Sequence, residues 1–170
     1  RGEIIVSAGG GAVGFATLPK IFNLRNKVVI RDFPWRFVTG PHMPPEIFNE
    51  LSAKETNDTF VERSRPDLPA VIGRAKLSIS QAGYNTIAEL MNAGTPAVVV
   101  PYEGGVETEQ RLRSDLLAKR SLLQVVDENE LNVNNLNNAI YQALNTKPVK
   151  KLNVSLDGAS STANSLWALL

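Results

Sequence analysis

Gly83, Thr86, Glu89 and Gln110 are residues whose types and spacing suit the binding of an anion flanked by hydroxyl groups. Leu77 to Ser80 reads as a short strand, and Gly83 supplies a backbone without Cβ where the chain must turn. Thr86 and Glu89 stand at capping-box spacing, which predicts a helix starting at Thr86. A strand that feeds a glycine turn and then a helix leaves unbonded N–H groups at the end of a sheet, and these favour negative charge. Glu89 has two readings. It is the capping partner that reaches back to the helix start, or a carboxylate offering two acceptor oxygens to the ribose diol of a nucleotide held at that helix. The Gln110 amide both donates and accepts, which suits sugar hydroxyls and equally an ordinary surface glutamine.

A second glycine-rich stretch, Gly9 to Gly14, follows the first predicted strand and precedes a helix. Its backbone could approach a phosphate closely, or it could simply make a tight β–α turn. Through Gly9, Gly11 and Gly14 it also matches G-x-G-x-x-G. Asp32, after the next predicted strand, stands near the place of a ribose-binding acid, so a nicotinamide-dinucleotide site is a rival reading. His42, between Pro41 and Met43, is a solvated loop histidine or a ligand contact. Trp35 and Trp167 read as core or docking residues. The charges at Glu103, Glu107, Glu109, Arg111 and Arg113 read mainly as a solvated helix face.

The elements that position these residues alternate. Strands are predicted at Glu3–Ser7, Val28–Ile30, Phe37–Val38, Thr59–Glu62, Leu77–Ser80, Ala97–Val100 and Leu122–Val126. Helices are predicted at Phe15–Leu24, from Pro44–Pro45 through Leu51, and at Asp67–Ala75. Further helices run from Thr86 to a stop at Gly94 and Pro96, and over Glu107–Lys119 and Leu131–Leu144. Ile87, Leu90 and Met91 form one apolar face, and Leu112, Leu116 and Leu117 are expected to face inward. Asn132 to Asn138 reads as capping at a helix start. Val149–Ser155 reads as a linker and Gly158–Leu170 as a terminal helix docked through Leu166, Trp167 and Leu170. Strands alternating with helices predict an α/β fold, a Rossmann-like doubly wound parallel sheet, with Gly9–Gly14 and Gly83–Glu89 at one carboxyl edge.

Composition narrows the chemistry. The chain has 170 residues and a formal net charge of +1, so no global field attracts nucleic acid or membrane. It has no cysteine and one histidine, which removes disulfides, thiol nucleophiles and multi-histidine metal sites. The absence of cysteine suits a cytoplasmic protein. The chain opens at Arg1 and enters a strand almost at once, so the expectation is a piece of a longer polypeptide.

From Ser80 to Pro101 the run S-Q-A-G-Y-N-T-I-A-E-L-M-N-A-G-T-P-A-V-V-V-P resembles the carboxyl-terminal, donor-binding domain of GT-B glycosyltransferases. The likeness is to the bacterial branch that adds N-acetylglucosamine in lipid II formation, and to its relatives. It rests on Gly83, Thr86, Glu89, Gly94, Pro96, Pro101 and Gln110, with the Gly10–Gly14 loop in the same pattern. The resemblance implies one donor-binding domain over residues 1–170, half of a GT-B fold. It implies a nucleotide-diphosphate sugar, UDP-linked by preference, as donor substrate, with neither cofactor nor metal. Glu89 would hold the ribose. Backbone N–H groups of Gly83, Tyr84 and Asn85 would hold the diphosphate, with Thr86 beside them among the donor-binding residues. Glu109 and Gln110 would meet the transferred sugar, and Gly10, Gly11 and Gly14 would line the cleft. Gln81 stands where this branch has arginine, Ala12-Val13 where it has Ser-Gln, and Arg113 where it has asparagine. A relative with its own sugar or acceptor is therefore expected.

The base that activates the acceptor hydroxyl is expected in an amino-terminal acceptor domain or a partner subunit. Any peripheral membrane association would run through that part. A non-catalytic nucleotide-sugar-binding subunit of a split transferase is the alternative, and the nicotinamide-dependent oxidoreductase domain is a second alternative.

Overall fold

The computed structural model describes residues 2–9, 13, 15–102, 104 and 108–146. Six strands are present: β1 (Ile4–Ser7), β2 (Trp35–Val38), β3 (Thr59–Glu62), β4 (Leu77–Ser80), β5 (Ala97–Val99) and β6 (Gln124–Val125). They form one parallel sheet in the order β3-β2-β1-β4-β5-β6. The connecting helices are α1 (Thr17–Leu24), α2 (Pro45–Ser52), α3 (Leu68–Arg74), α4 (Tyr84–Ala93), α5 (Glu109–Ala118) and α6 (Val133–Asn145). This is the doubly wound α/β arrangement expected from the alternation of elements. Its chain order reverses between β1 and β4, and the loops leaving those two strands bound a crevice.

Register assigns the two faces. Ile4 pairs with Leu77 and Trp35, and Val6 with Ile79 and Phe37. These side chains share a core with Leu18, Ile21 and Phe22 of α1, Leu51 of α2, and Leu136 and Ile140 of α6. Ile5, Ala97 and Val99 face the other way, against Val71 and Ile72 of α3 and Ile87 and Leu90 of α4. Covering on both faces is why β1 (IIVS) and β5 (AVV) read as apolar runs without alternation, whereas β4 (LSIS) alternates although all four of its residues are buried. Trp35 is a core residue, as expected. The Asn132 side chain accepts from the Asn135 N–H at 3.0 Å, so the asparagine cluster does cap α6.

Four expectations are corrected. Val28–Ile30 is a turn after a 3₁₀ segment at Arg25–Lys27, not a strand. The turn tucks Val28 and Ile30 into the core and leaves Val29 65% exposed, which imitates strand alternation. The second strand begins at Trp35, so Asp32 precedes it. Helix α4 starts at Tyr84 with Gly83 as its N-cap. Thr86 is thus its third residue and Glu89 its sixth, and no capping box forms. On α5, Leu112 and Leu116 are 63% and 48% exposed, while Ser114 is fully buried. Gln110, Ser114 and Leu117 face inward at helical spacing instead, and the Ser114 hydroxyl meets its hydrogen-bonding need on the Gln110 carbonyl oxygen at 2.7 Å. The predicted linker Val149–Ser155 and terminal helix Gly158–Leu170, with Trp167, lie outside the described residues.

Candidate functional site

The hydrogen-bond ladder runs past the strand ends at the carboxyl edge. Ala8 N–H donates to Val38 O at 3.2 Å, Gln81 N–H to Ser7 O at 3.2 Å, and Val100 N–H to Ser80 O at 2.8 Å. The loops after β1, β2 and β4 are thereby held together. Gly9 and Gly40 have φ of +73° and +84°, a region that favours glycine. A Cβ on Gly9 would stand 3.5 Å from Thr86 Oγ1, and one on Gly83 would stand 3.8 Å from the same atom. The Gly9 and Gly83 turns therefore meet around the Thr86 hydroxyl. That residue is 8% exposed, and its hydroxyl has no partner among the described residues. Beneath it, Ser7 and Ser80 are register partners whose buried hydroxyls are also unpartnered, as is the buried Gln81 Nε2. Such a concentration of unbonded polar atoms is uncommon in a folded interior and marks a place built for something other than packing.

The first helical bond of α4 runs from Ile87 N to Gly83 O at 3.0 Å. The N–H groups of Tyr84, Asn85 and Thr86 precede it and lack intrahelical acceptors, so the positive end of the helix dipole opens at this turn. Tyr84 is 71% exposed and Asn85 is exposed, so this first turn of α4 lies at the surface. Glu89 lies one turn further along on the side of Asn85 and Thr86. It is half-buried and makes no ion pair or hydrogen bond among the described residues. Burial pushes its carboxyl above the ordinary glutamate value, so its negative charge is uncompensated within the protein.

Helix α5 supplies the second wall. Gln110 Oε1 accepts the Tyr102 N–H at 3.1 Å and so fixes the loop leaving β5. Glu109, at the first position of α5, lies 3.4 Å from Arg113. Arg113 reaches across to α4. Its Nη1 donates to Ala82 O at 3.0 Å, and its guanidinium stands 5.5 Å from the Tyr84 ring centroid. Arg111 does not simply face solvent: it pairs with Asp115 at 3.1 Å and with Asp127 beyond β6.

Of the residues singled out in the sequence, Gly83, Tyr84, Asn85, Thr86 and Glu89 share one helix end, Glu109 is tied to it through Arg113, and Gln110 holds the Tyr102 N–H beside Glu109 on α5. Gly9 joins them from β1, whereas Gly10, Gly11 and Gly14 lie outside the described residues, as do Ala12, Glu103 and Glu107. Asp32 does not join them. It sits in the turn before β2, at the amino edge of the sheet, with its side chain 88% exposed beside Arg31. A ribose acid must stand at the carboxyl end of β2, so the nicotinamide-dinucleotide reading loses its second element. His42 is exposed in a turn. Among the described residues no cluster of His, Cys, Asp or Glu could hold a metal ion, and no helix is long and apolar enough to cross a membrane. Gly40 escaped the sequence reading, and Arg113, read there as part of a solvated helix face, instead packs against the α4 turn. Gly40 gave a signal as a lone glycine just after a strand, and Arg113 gave one as the i+4 neighbour of Glu109.

A model of the glycosyltransferase family 28 C-terminal domain matches residues 22–165. Among curated proteins, the UDP-N-acetylglucosamine--N-acetylmuramyl-(pentapeptide) pyrophosphoryl-undecaprenol N-acetylglucosamine transferase of Natranaerobius thermophilus is 36% identical over 128 residues, 71% of this chain and 35% of its own. The protein of the same name from Anaplasma marginale is 32% identical over 138 residues, 79% of this chain and 39% of its own. The chain thus spans little more than a third of the length of these relatives. Among solved structures, Acinetobacter baumannii MurG superposes with a TM-score of 0.66 at 18% identity, over 100% of this chain and 53% of its own. The calicheamicin glycosyltransferase CalG4 gives 0.70 at 15% identity, over 99% and 42%. Os79 from O. sativa in complex with UDP gives 0.61 at 16% identity, over 86% and 32%. At these identities the structures speak to fold alone.

Proposed function

This chain belongs to the glycosyltransferase family 28 C-terminal domains, and from that premise we propose that it is the donor-binding half of a hexosyltransferase that uses a UDP-sugar. The observation that carries the reading is the meeting of the Gly9 and Gly83 turns around Thr86, at the open end of α4, with the uncompensated Glu89 one turn further on. A nucleotide diphosphate is complementary to that arrangement. Its phosphates take the N–H groups of Tyr84, Asn85 and Thr86, and its ribose diol donates to the Glu89 carboxylate. Glu109 and the donor side of the Gln110 amide, whose oxygen is already engaged, face the transferred sugar.

In transfer, an acceptor hydroxyl oxygen bonds to the anomeric carbon as the bond from that carbon to the diphosphate oxygen breaks. Negative charge then grows on the departing diphosphate. Fixed N–H dipoles at α4 stabilise that charge without reorganising, which lowers the barrier. The hydroxyl proton goes to a base on an acceptor-side domain or subunit, which also selects the acceptor and brings the complex to its cytoplasmic place of work.

A thermal-shift panel tests the reading, because a ligand that binds only the native state raises its apparent stability. UDP and UDP-N-acetylglucosamine should raise the melting temperature, and NAD should not. A shift with NAD alone would refute the proposal.

A further inference from the structure

We propose that Arg113 is the cation of the donor diphosphate subsite, delivered from α5 rather than from the turn itself. The inference rests on the donor-site reading above and deepens it. Gln81, the residue entering the turn, is uncharged and buried. The guanidinium beside the turn comes instead from across the cleft, anchored 3.0 Å from Ala82 O and 5.5 Å from the Tyr84 ring. It thus stands against the two residues that flank Gly83, where the unbonded N–H groups of α4 begin. Thr86, a residue nine-tenths buried between the Gly9 and Gly83 turns with its hydroxyl unpartnered, marks this same helix end as a place that takes a ligand.

The anchoring contact also has a chemical consequence. In a trans peptide the C=O and N–H point in opposite directions. A charged donor on the Ala82 carbonyl polarises the Ala82–Gly83 peptide and strengthens its N–H as a donor on the far side. Arg113 therefore acts on the phosphates both by its field and through that peptide. Glu109, at 3.4 Å and largely exposed, offsets only part of the charge. Stacking over Tyr84 holds the guanidinium in place.

The test separates charge from anchoring. Arg113→Gln retains an amide donor for the Ala82 carbonyl and loses the charge, whereas Arg113→Lys retains the charge. Affinities for UDP and for uridine are measured on the full chain by calorimetry and ligand-observed NMR at two salt concentrations, with melting temperatures alongside. Arg113→Gln should weaken UDP about tenfold, leave uridine within about twofold, and flatten the salt dependence of UDP binding. Arg113→Lys should stay within about threefold of wild type for UDP. Unchanged UDP affinity in Arg113→Gln, or equal losses for UDP and uridine, would overturn the inference while wild-type UDP binding left the donor-site reading standing. Failure of the wild type to bind UDP would remove both.

Discussion

A Cβ on Gly40 would strike the carbonyl oxygen of Gly9. The loop after β2 thereby buttresses the loop after β1 at the point where that loop turns toward Thr86. The neighbour is backbone and cannot swing aside, and Gly40 has a φ of +84°. Gly40→Ala should therefore cost about 2–4 kcal/mol, the sum of left-handed strain and a displaced loop. It should also weaken UDP binding, because Gly9 moves with it. Gly94→Ala is the control. It has a φ of +65° with nothing within 4 Å of the added Cβ, so only the left-handed penalty of about 1–2 kcal/mol applies and binding is spared. Chemical denaturation of both variants, with UDP titrations, checks the pair.

Leu112 and Leu116 stand on solvent, whereas Leu90 of α4 is fully buried. Replacing Leu112 and Leu116 with glutamine should change stability by less than about 1 kcal/mol, because these side chains bury little apolar area. Leu90→Ala should cost about 2–5 kcal/mol through lost burial and a residual cavity. Melting curves of the two variants suffice. A large loss in the double variant would mean that Leu112 and Leu116 are covered.

What the sequence made legible were features carried by short runs. The β-branched stretch at Val98–Val100, the stop at Gly94 and the glycine turns at Gly9 and Gly83 dictate local backbone directly, and the parallel sheet follows from their alternation. What it hid depends on neighbours distant in the chain. Val28 and Ile30 look like a strand because both are buried in the core that α1 and α6 share, a fact of packing rather than of propensity. Thr86 and Glu89 mimic a capping box because the spacing does not reveal that Gly83 already caps the helix. Arg113 was legible as a charge on a helix. Its grip on Ala82, 31 residues earlier, was not.

The 170-residue chain should bind UDP and transfer no sugar. The donor contacts proposed here all lie on α4, α5 and the β1 loop, whereas nothing in them activates a hydroxyl. Incubation with UDP-N-acetylglucosamine and a range of acceptor alcohols should yield no glycoside, with at most slow release of UDP by hydrolysis. Glycoside formation by the purified chain would contradict the division of labour.

Glu89 gives a prediction that separates a structural glutamate from a ribose ligand. Burial raises its carboxyl, so the folded state holds that proton more tightly than the unfolded chain. Its contribution to stability is therefore complete below the ordinary glutamate value of 4.5 and is lost as pH rises through the elevated folded value. Ribose binding has the opposite slope. Only the ionised carboxylate accepts from both hydroxyls, so affinity should climb as the pH rises through the same window. Uridine is the suitable probe, since it carries no phosphate that titrates there. Glu89→Gln should flatten both profiles. It keeps one acceptor oxygen and loses the charge that strengthens such bonds, worth about 1.5–3 kcal/mol, so affinity at neutral pH should fall about tenfold to a hundredfold. The melting temperature near pH 7 should rise slightly or hold, because an uncompensated half-buried charge has gone. 2′-Deoxyuridine should already bind the wild type more weakly than uridine and should lose much less on substitution. Equal affinities of the variant and the wild type for uridine across the pH range would show that Glu89 carries no ribose.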